Sequence, residues 1–311
     1  MNPLYLDDAA ISQLLDFAGV AAILDAAFAD LAAEQAEIHP RQRSGSGNIR
    51  LSSMGALWSA RQVGGIKVYP TVQGQFAFLV TLFDLEKNVP IAVLDGAELT
   101  RFRTAALTAL IASKTANPAP KKLALFGAGL QGRAQAQALC GVFSFEEIAV
   151  VDPLGDDSWC SRLALQTGSR VQLCSAEAAV RGADLVVTAT RSQVPVFDGR
   201  WLEPGAFVCA IGTSAPKGRE LDDATLSRAS RIIVEWKPQS LAEAGELVLW
   251  RPQNDFERAK VMDLPELYRH GQPWRGSSGD IIVAKSVGVG LADVACAYLA
   301  YTRHAAAQRV L

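Results

Sequence analysis

The sequence predicts an α/β protein, a doubly wound parallel sheet joined to a discontinuous α+β domain, and three observations carry that expectation. From Lys121 onward apolar strands alternate with helices, as in a parallel sheet covered on both faces. The first of those strands runs directly into a glycine-rich turn. Residues 1–117 have a different texture, helices followed by short runs rich in β-branched and aromatic residues. With 311 residues the chain is about twice a usual domain length, which leaves room for both parts. The division expected is 1–117 with 288–311 in one domain and 118–287 in the other.

Taken in order, residues 7–37 place Leu14, Leu15, Val20, Ile23, Leu24, Ala27, Phe28 and Leu31 at helical spacing, as two amphipathic helices broken near Gly19. Between Arg41 and Leu94, GGIKVYP, QFAFLVTLFDL and VPIAVLD read as strands of a mixed sheet. ELTRFRTAALTALIASKTAN, over 98–117, returns to helix, with Thr100 placed to cap it and Asn117-Pro118 to stop it. Beyond a boundary at 117–121, KLALFG, EEIAVVD, RVQLC, DLVVTAT, FVCAIGT and RIIVEW are strands. The helices between them start near Leu130 and cover 156–167 and 176–181. After Pro252 no pattern stands out until a long closing helix from Val287, suited to pack back on the first lobe.

Composition narrows the function. A formal net charge of -2 without a Lys/Arg cluster points away from nucleic acid. Five cysteines (Cys140, Cys160, Cys174, Cys209, Cys296) are odd in number and lack CxxC spacing, so they read as thiols of a reducing compartment. There is no basic segment leading into an apolar one at the start, and no window near the ~20 apolar residues of a membrane span, so a soluble, cytoplasmic protein is expected. Three histidines without HxxxH or HxxE spacing predict no metal site.

The turn LALFGAGLQGRAQAQAL sets Gly127, Gly129 and Gly132 in GxGxxG spacing, with Ala128, Leu130 and Gln131 completing the loop, after a strand and before a helix. This is the phosphate-binding turn of a Rossmann-type domain. The first glycine permits the tight turn, the second lets a pyrophosphate approach the backbone, and the third lets helix and strand pack closely. The helix N-terminus then offers unpaired N–H groups to the phosphates. The next strand ends in Asp152, where such folds place a carboxylate on the ribose hydroxyls, followed by Pro153 rather than Arg. A carboxylate repels a 2′-phosphate, so NAD(H) is favoured, with NADP(H) open because related folds recruit basic residues from elsewhere. Thr188, Ala189 and Thr190 in TATRSQ and Gly212 in AIGT lie at the carboxyl ends of later strands, where the nicotinamide pocket is expected. Thr188, Thr190 and Ser192 serve equally well as turn-formers.

The first lobe must supply the substrate chemistry. Its basic residues are Arg41 and Arg43 in HPRQR, Lys67 in GGIKVYP, and Arg101 and Arg103 in ELTRFRTAA. Any surface arginine can be a merely solvated charge. Lys67, on an apolar strand, is costly to bury unless an anion or cofactor meets it.

At these residues the sequence resembles the ornithine cyclodeaminase and mu-crystallin family. The PRQR turn, GGIKVY, LTRFRTAALTAL, GAGLQG, AIGTSAPKGREL, EAGEL and KSVGVGLAD occur in order across nearly the whole chain. The resemblance implies a homodimer whose first lobe, completed by the closing helix, forms the substrate and dimerisation domain, and a second lobe that holds NAD(P). It also implies an α-amino or α-imino acid substrate whose carboxylate is held by Arg41 (or Arg43), Lys67 and Arg103. Two positions depart from the cyclodeaminase pattern: Ser214 stands where those enzymes carry Asp, and Arg50 aligns with their Glu. The expected reaction is therefore reduction of a cyclic ketimine, such as Δ1-pyrroline-2-carboxylate or Δ1-piperideine-2-carboxylate, to L-proline or L-pipecolate. Lys67 would bind the carboxylate or deliver a proton, and Ser214 would orient a water. The alternatives are an L-amino-acid dehydrogenase or ornithine cyclodeaminase, and a non-catalytic ligand-binding protein.

Overall fold

The computed structural model describes residues 3–308 except 253 and 272. It forms two compact units, Met1–Leu107 with Gly288–Leu311, and Thr108–Val287. The first division falls at 107/108, within a helix, rather than at 117–121.

The first unit begins with strand β1 (Leu4–Leu6) and helices α1 (Asp8–Leu14) and α2 (Phe17–Ala32). The break between the helices lies at Leu15-Asp16 and not at Gly19. The Asp16 side chain caps α2 by accepting from the Gly19 backbone, so Gly19 belongs to the first turn. Strands β2 (Glu37–Ser46), β3 (Ile49–Trp58), β4 (Val63–Val72), β5 (Gln75–Phe76), β6 (Leu79–Asp84) and β7 (Val89–Asp95) follow, then helix α3 (Ala97–Thr115). Thr100 lies inside α3 and bonds back to the Gly96 carbonyl at 2.5 Å. The capping carboxylate is instead Asp8, which accepts from Glu98 N at 2.8 Å.

The strands make a mixed sheet in the order β1-β7-β6-β4-β3-β2, with β5 paired to β4. The β1–β7 pair is parallel and the others are antiparallel. Register aligns Leu6, Leu94, Val80, Lys67 and Met54 in one row across five strands. Every member is buried, so Lys67 is the one charge in an apolar stripe. The closing helix, Gly290–Gln308, packs on α2, β3 and β4. Contact at its first turn is backbone on backbone, since a Cβ on Gly290 would stand 2.2 Å from the Gly55 carbonyl oxygen. On the opposite face Leu57, Gly64 and Phe83 form a cross-strand row. Leu57 and Phe83 are exposed there, with Leu51 and Leu85 also uncovered.

The second unit alternates as the sequence predicts: β8 (Lys122–Phe126), α4 (Leu130–Cys140), β9 (Glu147–Val151), α5 (Asp157–Thr167), β10 (Arg170–Leu173), α6 (Ala176–Val180), β11 (Leu185–Thr188), β12 (Phe207–Ala210), α7 (Asp223–Arg228) and β13 (Arg231–Val234). Helices α8 (Lys237–Glu243), α9 (Gly245–Leu249) and α10 (Asp255–Ala259) lead to β14 (Val261–Asp263), α11 (Leu264–His270) and β15 (Ile282–Lys285). The region after Pro252 thus adds two strands, and Asp263, the last residue of β14, caps α11 in a capping box with Glu266. All eight strands are parallel, in the order β10-β9-β8-β11-β12-β15-β13-β14. The chain reverses its direction of travel between β8 and β11, and in open α/β sheets ligands bind at such a reversal, beyond the carboxyl ends of the strands. The closing helix, now α12, starts at Gly290 rather than Val287. Among the described residues no helix is long and apolar enough to cross a membrane.

Candidate functional site

In the first unit the structure gathers Arg41, Lys67 and Arg103 around a carboxylate that the sequence reading assigned no role, Asp293 of α12. Lys67 Nζ lies 2.9 Å from Asp293 Oδ1 and donates to Thr100 Oγ1 at 2.6 Å. The Phe78 ring covers it at 4.2 Å. Arg103 Nε is 3.3 Å from the same Asp293 oxygen. Arg41, raised from edge strand β2 where its register shifts between His39 and Gln42, donates to the Gly288 carbonyl at 2.9 Å. A Cβ on Gly288 would stand 2.8 Å from Arg103 Nη2, so this glycine lies between the two guanidiniums. Thr100, Arg103 and Thr104 share one face of α3, as helical spacing requires.

Burial makes these charges consequential. Lys67 is 1% exposed, and loss of water pushes its pKa down to about 8 even though Asp293 favours the ammonium. Burial alone would raise the Asp293 pKa, but Lys67 and Arg103 outweigh it and hold the carboxyl below the usual range. Two buried cations, Lys67 and Arg103, therefore share one buried anion, with the half-buried Arg41 beside them. Asp293 Oδ2 and Arg103 Nε are buried without a hydrogen-bond partner among the described residues. The one positive charge by which Lys67 and Arg103 exceed Asp293 favours a further anion here, while Asp293 Oδ2 can accept from a donor.

Other basic residues are spent elsewhere. Arg101 is held by Glu98 and stacks on Phe102 at 4.1 Å. Arg43 stands on the exposed stretch of β2 opposite Ser52, and Arg50 at the hairpin end of β3. Of the two arginines in HPRQR, the cluster takes Arg41. Lys67 has less freedom than the sequence suggested, because its ammonium is committed to Asp293 and Thr100 under an aromatic lid.

In the second unit the glycine-rich loop has a cradle's geometry. Gly127 has φ +88°, and a Cβ on Gly132 would stand 1.8 Å from the Gly127 oxygen. Around Gly129 the space is open, with nothing within 4 Å of a Cβ position. Gly129 is the N-cap of α4 and gives it no side-chain cap, so the first turn keeps its N–H groups for a ligand. Gln131 Oε1 is buried without a partner among the described residues. These features fit a dinucleotide's pyrophosphate.

Asp152 directly follows β9, and it also ties the loop down, accepting from Ala128 N at 2.6 Å and Leu154 N at 2.8 Å. A guanidinium also bonds this loop: Arg133 donates to the Ala128 carbonyl at 2.7 Å and to Asp156 at 2.6 Å, over the Trp159 ring. Bonds from Ser158, Trp159 N and Arg133 hold Asp156 well below the usual carboxylate range. Pro153 and Leu154 are exposed at the tip of this turn. Farther along the sheet, Thr188, Thr190 and Gly212 converge on buried Glu220, while Ala189 lies behind Gly127. Ser214 sits half-buried in the segment after β12.

Comparison with known proteins decides the family. The profile of the ornithine cyclodeaminase/mu-crystallin family matches residues 5–308. The chain belongs to that family. Within the family it is 31% identical over 224 residues to the ketimine reductase mu-crystallin of Mus musculus, covering 71% of this chain and 68% of that protein. It is 30% identical over 310 residues to the NAD(P)H-dependent anabolic L-arginine dehydrogenase of Pseudomonas aeruginosa, covering 96% and 97%. The solved structure of a probable ornithine cyclodeaminase from Bordetella pertussis superposes with a TM-score of 0.94 at 42% identity, covering 98% of each chain.

Family membership leaves Asp293 to be explained by physics, and its signal in the sequence was a lone acid within the apolar run GVGLADVACA. Removing one partner of a buried pair costs about 3–5 kcal/mol because the other charge is stranded. Asp293→Asn should lower the urea midpoint accordingly, and adding Lys67→Met on the same chain should recover part of the loss. Equal stability of wild type and Asp293→Asn would show that the pair carries no such weight.

Proposed function

We propose that the protein is a nicotinamide-dependent oxidoreductase that reduces a cyclic ketimine carboxylate, such as Δ1-pyrroline-2-carboxylate or Δ1-piperideine-2-carboxylate, to L-proline or L-pipecolate. The observation that carries the reading is the buried pair of cations in the first unit, Lys67 and Arg103, which share the one carboxylate of Asp293. A substrate carboxylate balances that excess, and Arg103, whose Nε faces Asp293 at 3.3 Å, is the group that grips it. Arg41 supports the grip, and Asp293 positions both Lys67 and Arg103. The reaction adds hydride to the imine carbon and a proton to its nitrogen. The second unit holds the cofactor, whose chemistry when bound is to supply the hydride. Ser214 orients a water in the segment after β12.

Three features support this reading over its rivals. A cyclodeaminase needs a group to take a proton from an ornithine amine, and the IGTSAP segment offers Ser214 instead of a carboxylate. A cluster of three cations also disfavours a substrate with a basic side chain. Retention of both the glycine loop and the cation cluster argues against a protein that only binds. NADH is the favoured cofactor, because Asp152, Asp156 and Asp157 surround the β9 turn and Arg133 is spent on Asp156. Five free cysteines suit a cytoplasmic location.

The active species is proposed to be a homodimer. The outer face of the first unit's sheet carries a groove of about 550 Å³ lined by residues such as Ile38, Leu57, Ile66, Phe83 and Leu85. A second copy of the chain would cover it. Light scattering should give a dimer or a multiple of dimers, and Leu57→Glu should shift the population toward monomer; a wild-type monomer at assay concentration refutes the assignment.

The carboxylate grip is tested by Arg103→Ala. Losing a charged hydrogen bond in a dry pocket costs roughly 2–5 kcal/mol, so kcat/KM for the imino acid should fall on the order of 10² to 10³, with NADH affinity unchanged. Wild type should release no ammonia from L-ornithine with NAD present. Ornithine turnover at a rate comparable to imine reduction would replace this reading with cyclodeaminase.

The Lys67–Asp293 pair sets the pH range. Its ammonium is present below about 8 and lost above, which would leave Asp293 without its main counter-charge. The pH profile of kcat/KM should therefore be level below about 8 and decline as the pH rises further. Lys67→Arg, which stays charged, should remove that break, and a profile unaltered by the substitution would assign the break to another group.

A further inference from the structure

Two glutamates and a lysine in the second unit have no part in the chemistry described so far. Glu220 lies in GREL, Glu246 in EAGEL, and Lys285 ends β15. Both glutamates are fully buried and Lys285 is 2% exposed. Glu220 stands where the segments leaving β11 and β12 approach each other. Its Oε2 accepts from Thr188 Oγ1 at 2.9 Å and from the Gly212 backbone at 2.7 Å. Its Oε1 accepts from the Thr190 backbone and from Thr190 Oγ1, each at 2.7 Å. The Glu220 N–H donates to Glu246 Oε1 at 2.9 Å. Glu246 Oε2 is 3.0 Å from Lys285 Nζ, which donates to the Thr213 carbonyl at 2.7 Å.

These bonds close a circuit that joins the ends of β11, β12 and β15. A Cβ on Gly212 would lie 2.2 Å from the Thr190 carbonyl oxygen and 2.5 Å from Glu220 Oε1, so nothing but glycine fits. All four donors to Glu220 are uncharged. A buried carboxylate is expensive unless its oxygens are filled, and here the filling groups are the two segments themselves.

We propose that Glu220 is a positioning residue for the nicotinamide end of the cofactor. It fixes residues 188–192 and 211–215 as one rigid surface at the carboxyl ends of the strands, where a doubly wound sheet receives its ligand. Glu220 does not touch the ligand; it holds the groups that do. The proposal rests on the reading that this sheet carries a nicotinamide dinucleotide and on nothing about the imino acid. Its chemistry forbids a simple replacement. Each carboxylate oxygen receives one backbone N–H, which cannot reverse direction, so glutamine must turn its NH₂ toward a donor in either orientation.

The test compares NADH with ADP-ribose, which lacks the nicotinamide, by calorimetry on wild type and Glu220→Gln, with NADH emission as a second readout. ADP-ribose should bind Glu220→Gln as it binds wild type, since the glycine loop is untouched. NADH should bind about tenfold or more weakly, lose the emission gained when its ring is enclosed, and give a kcat lower by about 10- to 100-fold. Equal weakening of both ligands would mean general disorder and overturn the proposal, as would no change in either. Thr190→Val keeps both backbone donors and removes one hydroxyl. It should weaken NADH by a few-fold and leave ADP-ribose alone, and it decides the matter if Glu220→Gln does not fold. A wild type that binds NADH yet reduces no imino acid rejects the proposed reaction and leaves this contrast intact.

Discussion

The Lys67–Asp293 ion pair is the constraint around which the first unit is arranged. A lysine in an apolar cross-strand row has no water to turn to, and each element packed on that row answers the charge in some way. Helix α3 offers the Thr100 hydroxyl, α12 offers the Asp293 carboxylate, and Phe78 offers the face of its ring. Because Asp293 also meets Arg103, the position of one carboxylate sets the direction of two cations. The backbone contact of Gly290 on Gly55 makes that position reproducible, since it leaves α12 no side-chain cushion on which to slide.

The second unit solves a similar problem with the signs exchanged. Its strand ends carry buried carboxylates, and these are filled largely by backbone N–H groups and hydroxyls instead of by cations. Such bonds have short reach and fixed direction, so they specify the shape of a surface more tightly than a charge pair does. Asp152 shows the same logic at the glycine loop, where it bonds the Ala128 N–H and so shapes the turn that it also borders.

Much of this was legible in the sequence where local chemistry decides structure. The GxGxxG turn, the alternation of strands and helices after Lys121, and the odd placement of Lys67 are all local signals. Arg41, Lys67 and Arg103 could be named because basic residues in apolar or small-residue settings need a reason. Asp293, Glu220 and Glu246 went unassigned although each stood in a quoted motif, because their partners lie between 8 and 226 positions away. A carboxylate's role here is defined by what the fold brings to it. Thr100 and Gly19 were misjudged for a related reason: a cap is chosen by geometry, and Asp8 and Asp16 were better placed. The strands after Pro252 were missed because short buried parallel strands have no periodicity of their own.

The chain order of the ion pair has a consequence for biosynthesis. Lys67 leaves the ribosome early, while Asp293 comes after the whole of the second unit has been made. Until then the nascent first unit carries a lysine in its apolar row with no carboxylate to meet it, and an inner sheet face without α12. Burying that row is unfavourable at this stage, so the second unit, contiguous in sequence, is free to fold first. The amino-terminal segment must wait as an open sheet with apolar faces exposed, the stage of its life at which a chaperone would find most to bind.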